Sequence, residues 1–289
     1  MTPAQVRSGR LVVCPTPIGN LEDVTLRVLS TLAGADLVAC EDTRRTRKLL
    51  AHHGLSARVV SLHEHNERAR SAELLARVRA GDVIALVSDA GTPLLSDPGF
   101  ELVHACIEAQ LAVEVLPGPS AVTTALVVSG LPPERWCFVG FLPRKPAELR
   151  ALLEGAAHTL VAFESPRRLP ATLRAIAALD PERPAAVCRE LTKLHEEVRR
   201  GTAAELAAHY GQLTASGRLK GEIVLVLGGA VREGFERREA VAALLRLVEA
   251  GARARPAAVA VAKLTGLGAN ELYRELTGGA RGASGRQAV

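Results

Sequence analysis

The chain reads as an α/β protein with two sheet-bearing domains and a small helical appendage, and three observations carry that reading. Short apolar runs alternate with helical periodicity over 11–129, the pattern of a largely parallel sheet covered on both faces. At SGLPPERW, Gly130, Pro132 and Pro133 interrupt both patterns and mark a boundary. After Gly228 and Gly229 the composition turns to Ala, Arg and Leu and strand signals stop. The 289 residues exceed the usual size of one compact domain, and the expected division is 1–131, 132–230 and 231–289.

Taken in order, LVVC opens the first sheet and a helix is expected over 21–32. LVAC, a helix over 43–53, VVSL, a helix over 71–79, VIALV, a helix over 100–110, VEVLP and a helix from 120 follow. Gly54 and Gly81 stand where helix C-terminal glycines belong. Ligands of such sheets gather at the carboxyl ends of the strands, so PTPIGN, EDTRRTRK, HEHNE, SDAGTP and PGPS are expected to converge on one cleft. The second domain holds WCFVGF, a helix over 146–154, TLVAFES, a helix over 169–179, AAVCRE, the polar EEVRR, a helix over 203–210 and EIVLVLGG. Buried runs mixed with one polar strand predict a mixed sheet. Helices over 238–250, 256–264 and 270–276 form the appendage. The two short helices around GLGAN fit a helix-turn-helix, and equally an oligomerisation bundle or a helical cap. GGARGASGRQAV is low in complexity and expected to be disordered.

Composition excludes several classes. The 48% apolar share describes a globular chain, and no run is long enough to span a bilayer. MTPAQVRSGR lacks the apolar core of a secretory signal, so a cytoplasmic location is expected. Cys14, Cys40, Cys106, Cys137 and Cys188 show no metal-ligand spacing and read as buried, reduced thiols. His52, His53, His63 and His65 lack a cysteine or carboxylate framework at zinc spacing, and no metal is expected. The net charge is +5, and from Arg232 onward ten Lys or Arg stand against six Glu, which points to a polyanionic partner.

The common nucleotide motifs are missing. GxxxxGK[ST] does not occur, and no GxGxxG follows the first strand, against a P-loop NTPase and a dinucleotide-binding dehydrogenase. The first strand runs instead into PTPIGN, whose prolines remove amide donors a phosphate cradle would need. SDAGTPLLSDPG (88–99) combines small residues for close backbone approach with Asp89 and Asp97 as acceptors for hydroxyl or cationic groups. It fits equally a tight turn in which Ser96 or Asp97 caps the next helix.

The loops together resemble those of the tetrapyrrole methylase superfamily and, within it, the ribosomal RNA small subunit cytidine 2′-O-methyltransferase I family. The resemblance covers 11–229 and rests on TPIGNLEDVTLR, CEDTRRTRKLL, HEHNE, ALVSDAGTPLLSDPG, LPGPSAVTTAL, SGLP, GFLPRK, FESPRR, CRELTK and GEIVLVLGG, in that order. It implies a tetrapyrrole-methylase-like fold, S-adenosylmethionine in the cleft between the domains over the second domain's strands, and a homodimer. Carried over, Gly91, Thr92 and Pro93 match the donor loop, with Pro17, Asp89, Leu95, Ser96, Ser120 and Ala121 beside it and Phe163, Glu164 and Leu191 completing the pocket. Thr92 stands where the superfamily has aspartate, as is general in the rRNA subfamily. The helices after Gly229 match the subfamily's small helix-turn-helix-like domain less distinctly. The implied reaction is 2′-O-methylation of a cytidine in 16S rRNA, with the small ribosomal subunit as partner.

The sulfonium supplies the methyl group, so the protein must align the nucleophile and remove a proton. A neutral ribose hydroxyl needs a base or a nearby cation. Candidates by loop position are Glu22, Asp23, Glu41, Asp42, Lys145, Arg189, Glu190 and Lys193. Each has a structural alternative: Asp23 or Thr25 as a helix cap, Glu41 and Asp42 in ion pairs with Arg27 or Arg44, RELTK as an ion-pair network. Arg27, Arg44, Arg45, Arg47, Lys48, Arg144, Lys145, Arg167 and Arg168 suit phosphate contacts, or alternatively form a solvated face. An aromatic share of 3% argues against a stacking platform and for recognition of folded RNA. Two competing readings are a methylase for a tetrapyrrole or other small acceptor, and a non-catalytic RNA-binding assembly factor.

Overall fold

A computed structural model describes residues 8–215, 219–229 and 237–280, and contacts divide the chain into two units, Met1–Gly229 and Ala230–Val289. In the first unit β1 (Arg10–Cys14), β2 (Leu37–Cys40), β3 (Val59–Ser61), β4 (Val83–Val87) and β5 (Ala112–Val115) form a wholly parallel sheet in the order β3-β2-β4-β1-β5. Alternate residues of the central strands enter opposite faces, as the two-residue pleat requires. Leu11, Leu37 and Leu86 pack with Leu74 and Val78 of α3 (Glu67–Arg79) and Leu102 of α4 (Phe100–Glu108). Val12, Val38 and Val87 pack with Val28 and Leu32 of α1 (Leu26–Gly34) and Leu49 and Leu50 of α2 (Thr43–His52). Burial on both faces is why these strands read as continuous apolar runs.

The second sheet contains β6 (Trp136–Phe141), β7 (Thr159–Glu164), β8 (Pro184–Arg189), β9 (Glu197–Thr202) and β10 (Ile223–Leu227) in the order β6-β7-β10-β8-β9. Only β6 and β7 pair in parallel; the other pairs are antiparallel, so the sheet is mixed as expected. The polar EEVRR segment supplies β9, an edge strand with one flank left to solvent. Leu160, Val187 and Leu225 face α6 (Pro146–Gly155), α7 (Leu169–Leu179) and α8 (Ala203–Ala215). Val161, Ala186 and Val224 face the other way, onto Val122, Ala125 and Leu126 of α5 (Ala121–Ser129). The helix that leaves the first sheet therefore covers the second, and both sheets fall in one contact unit.

Four local expectations change, the first being that Cys137 is exposed while the other four cysteines are buried. The segment 21–32 is not one helix: a 3-10 turn over Leu21–Asp23 ends at Val24, whose backbone is extended, and α1 starts where Thr25 Oγ1 accepts the Val28 amide. Helix α3 begins four residues before the expected 71. Neither Ser96 nor Asp97 caps α4. Its N-cap is Gly99 at φ +122°, where an added Cβ would stand 2.8 Å from Leu86 Cδ2. Glu67 Oε1 of α3 reaches across to accept the amides of Gly99 (2.7 Å) and Glu101 (3.2 Å).

In the second unit α9 (Arg237–Glu249), α10 (Ala254–Thr265) and α11 (Ala269–Ala280) enclose Ala240, Leu244, Ala258, Val261 and Leu272. Gly266 at φ +74° ends α10, and GLGAN turns the chain into α11. Helix α11 runs through Ala280, three residues into the stretch expected to be disordered; the rest of that stretch lies outside the described residues. No helix among the described residues is long and apolar enough to cross a membrane.

The shared carboxylate of Glu67 gives a direct test. Glu67→Ala removes the acceptor for two α4 amides and is expected to lower unfolding free energy by about 1 kcal/mol, the usual value of a lost cap. Asp97→Asn leaves that cap in place. Denaturant titration of both variants checks this, and an Asp97→Asn loss equal to that of Glu67→Ala would contradict the assignment.

Candidate active site

The loops after β1 and β4 are locked together. Thr16 and Gly91 exchange two backbone hydrogen bonds of 2.8 and 2.9 Å. Thr16 Oγ1 donates to the Ser88 carbonyl at 3.0 Å, and Ser88 Oγ donates to the Gly91 carbonyl at 2.7 Å. Thr92 Oγ1 extends the lock to the loop after β5 by donating to the Pro119 carbonyl. Leu94 and Ser96 hold left-handed backbone conformations at φ +72° and +70°, a strained geometry that such bracing sustains.

Two adjoining cavities open around this lock. The larger, about 380 Å³, lies over β7, β8 and β10. Leu95, Ser96, Asp97 and Ala121 form one wall, and Phe163, Cys188, Leu191 and Val224 form the other. Six predicted donor residues meet here: Leu95, Ser96, Ala121, Phe163, Glu164 and Leu191. Glu164 is wholly buried, accepting from Thr172 Oγ1 and from the Ser165 amide, each at 2.7 Å. Pro17 and Asp89 line the smaller cavity instead. Gly91, Thr92, Pro93 and Ser120 line neither: Gly91 and Thr92 form the lock, Pro93 is buried, and the Ser120 carbonyl accepts Thr124 Oγ1 at 2.8 Å at the start of α5.

The smaller cavity, about 300 Å³, is bounded by the β1 loop, by Arg45 and Lys48 of α2, and by Asp89, Lys193 and Glu222. Ile18, Ala90 and Glu222 line both cavities. Lys193 Nζ lies 2.8 Å from Glu190 Oε1 and 2.9 Å from Glu222 Oε2. Burial opposes the charged form of Glu190, but hydrogen bonds from Lys193 and the Glu222 amide, with the Lys193 and Arg189 charges, hold its carboxyl below its ordinary value. Burial likewise works against the Lys193 cation, and its bonds to the two carboxylates outweigh it and raise its pKa. Glu222 was not singled out in the sequence; its position directly before the apolar run IVLVL, at the carboxyl-end side of β8, was the available signal.

The remaining candidates serve the scaffold or stand outside the cavities. Asp42 caps α2 through the Arg44 amide and binds the Arg44 guanidinium at 2.8 Å; these bonds hold its carboxyl down at about 2. Asp89 accepts the Asp42 amide at 2.9 Å and pairs with Arg45 at 3.5 Å. Glu22 pairs with His52, Asp23 sits in the 3-10 turn, and Glu41 and Lys145 line neither cavity. Lys145 pairs with Glu148 at the start of α6. Arg189 pairs with Glu197 on the edge strand. Arg27 pairs with neither Glu41 nor Asp42 but with Glu114 of β5 at 2.7 Å. Arg168 is likewise committed, donating to the Leu142 carbonyl at 2.8 Å and lying 3.4 Å from Glu164. Arg44, Arg47, Arg144 and Arg167 are exposed. No group of histidines, cysteines and carboxylates suited to a metal occurs among the described residues.

Comparison with known proteins agrees with this architecture. The profile of the Tetrapyrrole (Corrin/Porphyrin) Methylases matches residues 10–207, and the chain belongs to that family. Its relatives include "Ribosomal RNA small subunit methyltransferase I" of Mycobacterium tuberculosis (strain CDC 1551 / Oshkosh), 48% identical over 92% of this chain and 94% of the relative. The protein of that name from Escherichia coli O157:H7 is 43% identical over 92% of this chain and 94% of its own length. Among solved structures, uroporphyrin-III-C-methyltransferase from Thermus thermophilus superposes with a TM-score of 0.56 at 26% identity, covering 76% of this chain and 94% of that one. A further structure of uroporphyrin-III C-methyltransferase from that organism, complexed with S-adenyl homocysteine, gives a TM-score of 0.53 at 22% identity over 78% of this chain and 100% of that one.

Asp97, on the wall of the larger cavity, carries a measurable signature. Burial, followed by the negative charges of Glu41 and Asp89, pushes its carboxyl up to about 7. The folded chain then keeps a proton that the unfolded chain releases near pH 4, so folding stability falls as pH rises from about 4 to about 7 and is level above that window. Asp97→Asn removes this loss. Its melting temperature without ligand is expected to exceed wild type most above about pH 7.5 and least near about pH 4.5. A pH-independent difference in a thermal-shift series would contradict the burial assigned to Asp97.

Proposed function

We propose that this methyltransferase-family chain transfers a methyl group from S-adenosylmethionine to the 2′-oxygen of a cytidine in small-subunit (16S) ribosomal RNA. The observation that carries the reading is the pair of adjoining cavities with different chemistry along one shared wall. The larger has the volume of a small-molecule site and combines apolar and aromatic walls with a few polar groups, as such sites do. Phe141, Phe163, Leu95 and Leu191 suit the flat and apolar parts of the donor, and Asp97 suits its hydroxyl or cationic groups. Bound S-adenosylmethionine supplies an electrophilic methyl carried on a sulfonium. The smaller cavity offers Arg45 and Lys48 beside the carboxylates, a set suited to an acceptor that brings phosphates with it.

The relatives named for small-subunit rRNA support the acceptor class. The exposed cation Arg47 of α2, with Arg44 beside it paired to Asp42, extends the basic edge beyond the cavity, and Arg144, Lys145 and Arg167 supply a second exposed set. Such point charges position a phosphate backbone, while the cavity selects the nucleoside that enters it. The reading includes a homodimer acting in the cytoplasm on the assembled small subunit, and division of the first unit into an acceptor-side domain and a donor-side domain near 131. The helical unit, with Arg253, Arg255, Lys263 and Arg274, adds a basic RNA contact.

Incubating the protein with methyl-labelled donor and small subunits lacking the mark is expected to label one cytidine with an alkali-resistant linkage. Label on the base overturns the 2′-O reading, and transfer only to small tetrapyrroles overturns the RNA reading. Lys48→Glu places a negative charge at the smaller cavity. It is expected to weaken subunit binding and reduce the slope of log affinity against log salt by about one or more, with donor binding measured by calorimetry unchanged. Equal loss of both affinities would contradict the assignment of Lys48 to the acceptor side.

A further inference from the structure

We propose that Glu222 and Lys193 are the catalytic pair at the acceptor hydroxyl, Glu222 receiving its proton and Lys193 stabilising the oxygen left behind, with Glu190 as their positioning residue. This inference rests on the methyl-transfer reading above and deepens it by assigning the reacting groups.

Glu222 is the ionisable side chain common to both cavities, so it stands where donor and acceptor must meet. One of its oxygens, Oε2, binds Lys193 at 2.9 Å; the other accepts no hydrogen bond among the described residues, and the side chain is 62% exposed. The competing carboxylate of the smaller cavity is spent, since Asp89 accepts a backbone amide with Oδ1 and faces Arg45 with Oδ2. Lys193 is held as a cation by two carboxylates and so cannot serve as the base; its role is electrostatic.

The backbone is built around this pair. Glu190 and Thr192 take left-handed conformations at φ +51° and +66°, which side-chain-bearing residues rarely adopt. The loop is held by the Thr192 amide donating to Glu196 Oε2 at 2.6 Å and by the Asn20 amide donating to Thr192 Oγ1 at 3.1 Å. Two glycines make room for the side chains. A Cβ on Gly19 would stand 2.5 Å from Lys193 Cγ, and one on Gly221 would stand 2.5 Å from Glu190 Cγ. Glu190 Oε1 accepts both Lys193 Nζ and the Glu222 amide at 2.8 Å, so one oxygen fixes both members of the pair. Strain, close-packed glycines and a shared acceptor at the junction of two cavities are the marks of a preorganised site.

The chemistry balances. A lone pair of the ribose 2′-oxygen forms the O–CH₃ bond as the S–CH₃ bond breaks and its electron pair remains on sulfur. The hydroxyl proton passes to Glu222 Oε1, and Lys193 donates a hydrogen bond to the oxygen while the proton leaves. Glu222 then releases the proton to water and regains its carboxylate.

The test compares Glu222→Gln, Glu222→Asp, Lys193→Met, Lys193→Arg and Glu190→Gln with wild type in single-turnover methylation of small subunits. Donor affinity by calorimetry, subunit affinity by filter binding and thermal unfolding are measured alongside. Glu222→Gln is expected to slow the chemical step by about 10²–10⁴-fold, the usual range for a lost general base. Lys193→Met is expected to slow it by about 10²–10³-fold, as for a lost oxyanion donor. Both keep wild-type affinity for donor and subunit. Glu222→Asp and Lys193→Arg recover part of the rate, and in a further variant, Glu222→Ala, added formate restores turnover. Glu190→Gln falls between wild type and Lys193→Met in rate, with affinities intact and with further loss when combined with Lys193→Arg. A folded Glu222→Gln or Lys193→Met enzyme that turns over at the wild-type rate overturns the inference, as does a rate loss fully explained by lost affinity. Failure of wild type to methylate any RNA would instead overturn the function proposed above.

Discussion

The double backbone bond between Thr16 and Gly91 is the constraint on which the site depends. Strands β1 and β4 are neighbours in a parallel sheet, and their loops would otherwise diverge into solvent. Each bond of this kind contributes about 0.5–1.5 kcal/mol net, and the side-chain bonds of Thr16 and Ser88 add to it while satisfying groups that burial would leave unpaired. The lock sets Ile18 and Ala90 on the ridge between the two cavities. Gly91 at φ +80° permits the approach, since a Cβ there would press Ile18 Cγ2 at 3.3 Å. From that ridge the wall of the larger cavity continues through the strained turn at Leu94 and Ser96, and the wall of the smaller one continues through α2.

Charge around the ridge divides into two populations. Asp42 with Arg44, Arg168 with Glu164 and Arg189 with Glu197 are closed on one another and hold caps, loops and an edge strand. Lys193, Glu222, Asp97, Arg45 and Lys48 line the cavities, where Lys193 also pairs with Glu190 and Glu222 and Arg45 with Asp89 while one oxygen of Glu222 stays open. The distinction matters because a paired, well-bonded carboxylate is a poor proton acceptor, whereas one with an open oxygen beside a cavity is available for chemistry. Asp97 lies at the opposite extreme from Asp42: burial and neighbouring negative charge raise it to about 7, while bonds from Arg44 hold Asp42 down at about 2.

Much of this architecture is legible in the residue order. The continuous apolar runs LVVC, LVAC and VIALV announce strands buried on both faces, and the polar EEVRR announces an edge. That the loops PTPIGN, EDTRRTRK and SDAGTP share a cavity follows from the parallel topology, whereas HEHNE and PGPS, expected at the same cleft, line neither cavity. What periodicity cannot carry is a contact between distant elements. Glu67 capping α4 across 32 residues, Arg27 turning to Glu114 across 87 and Glu190 binding the Glu222 amide across 32 depend on the assembled fold. For the same reason motif matching, which set Gly91 and Thr92 among donor-binding residues, could not show that they also brace the loop, while Cys188, Val224 and Glu222 line the cavity unannounced. A strand residue facing a cavity and one facing a core share the same alternating pattern.

The central claim is that donor and acceptor occupy separate cavities divided by Ile18, Ala90 and Glu222. The most direct measurement is a crystal structure of the protein with S-adenosylhomocysteine. The account predicts the ligand between the Leu95–Ala121 wall and the Phe163–Leu191 wall, its sulfur directed toward Glu222, with the cavity beside Lys193 and Lys48 left for the acceptor. A ligand seated in the Lys193 cavity, or one bound away from both, would contradict it.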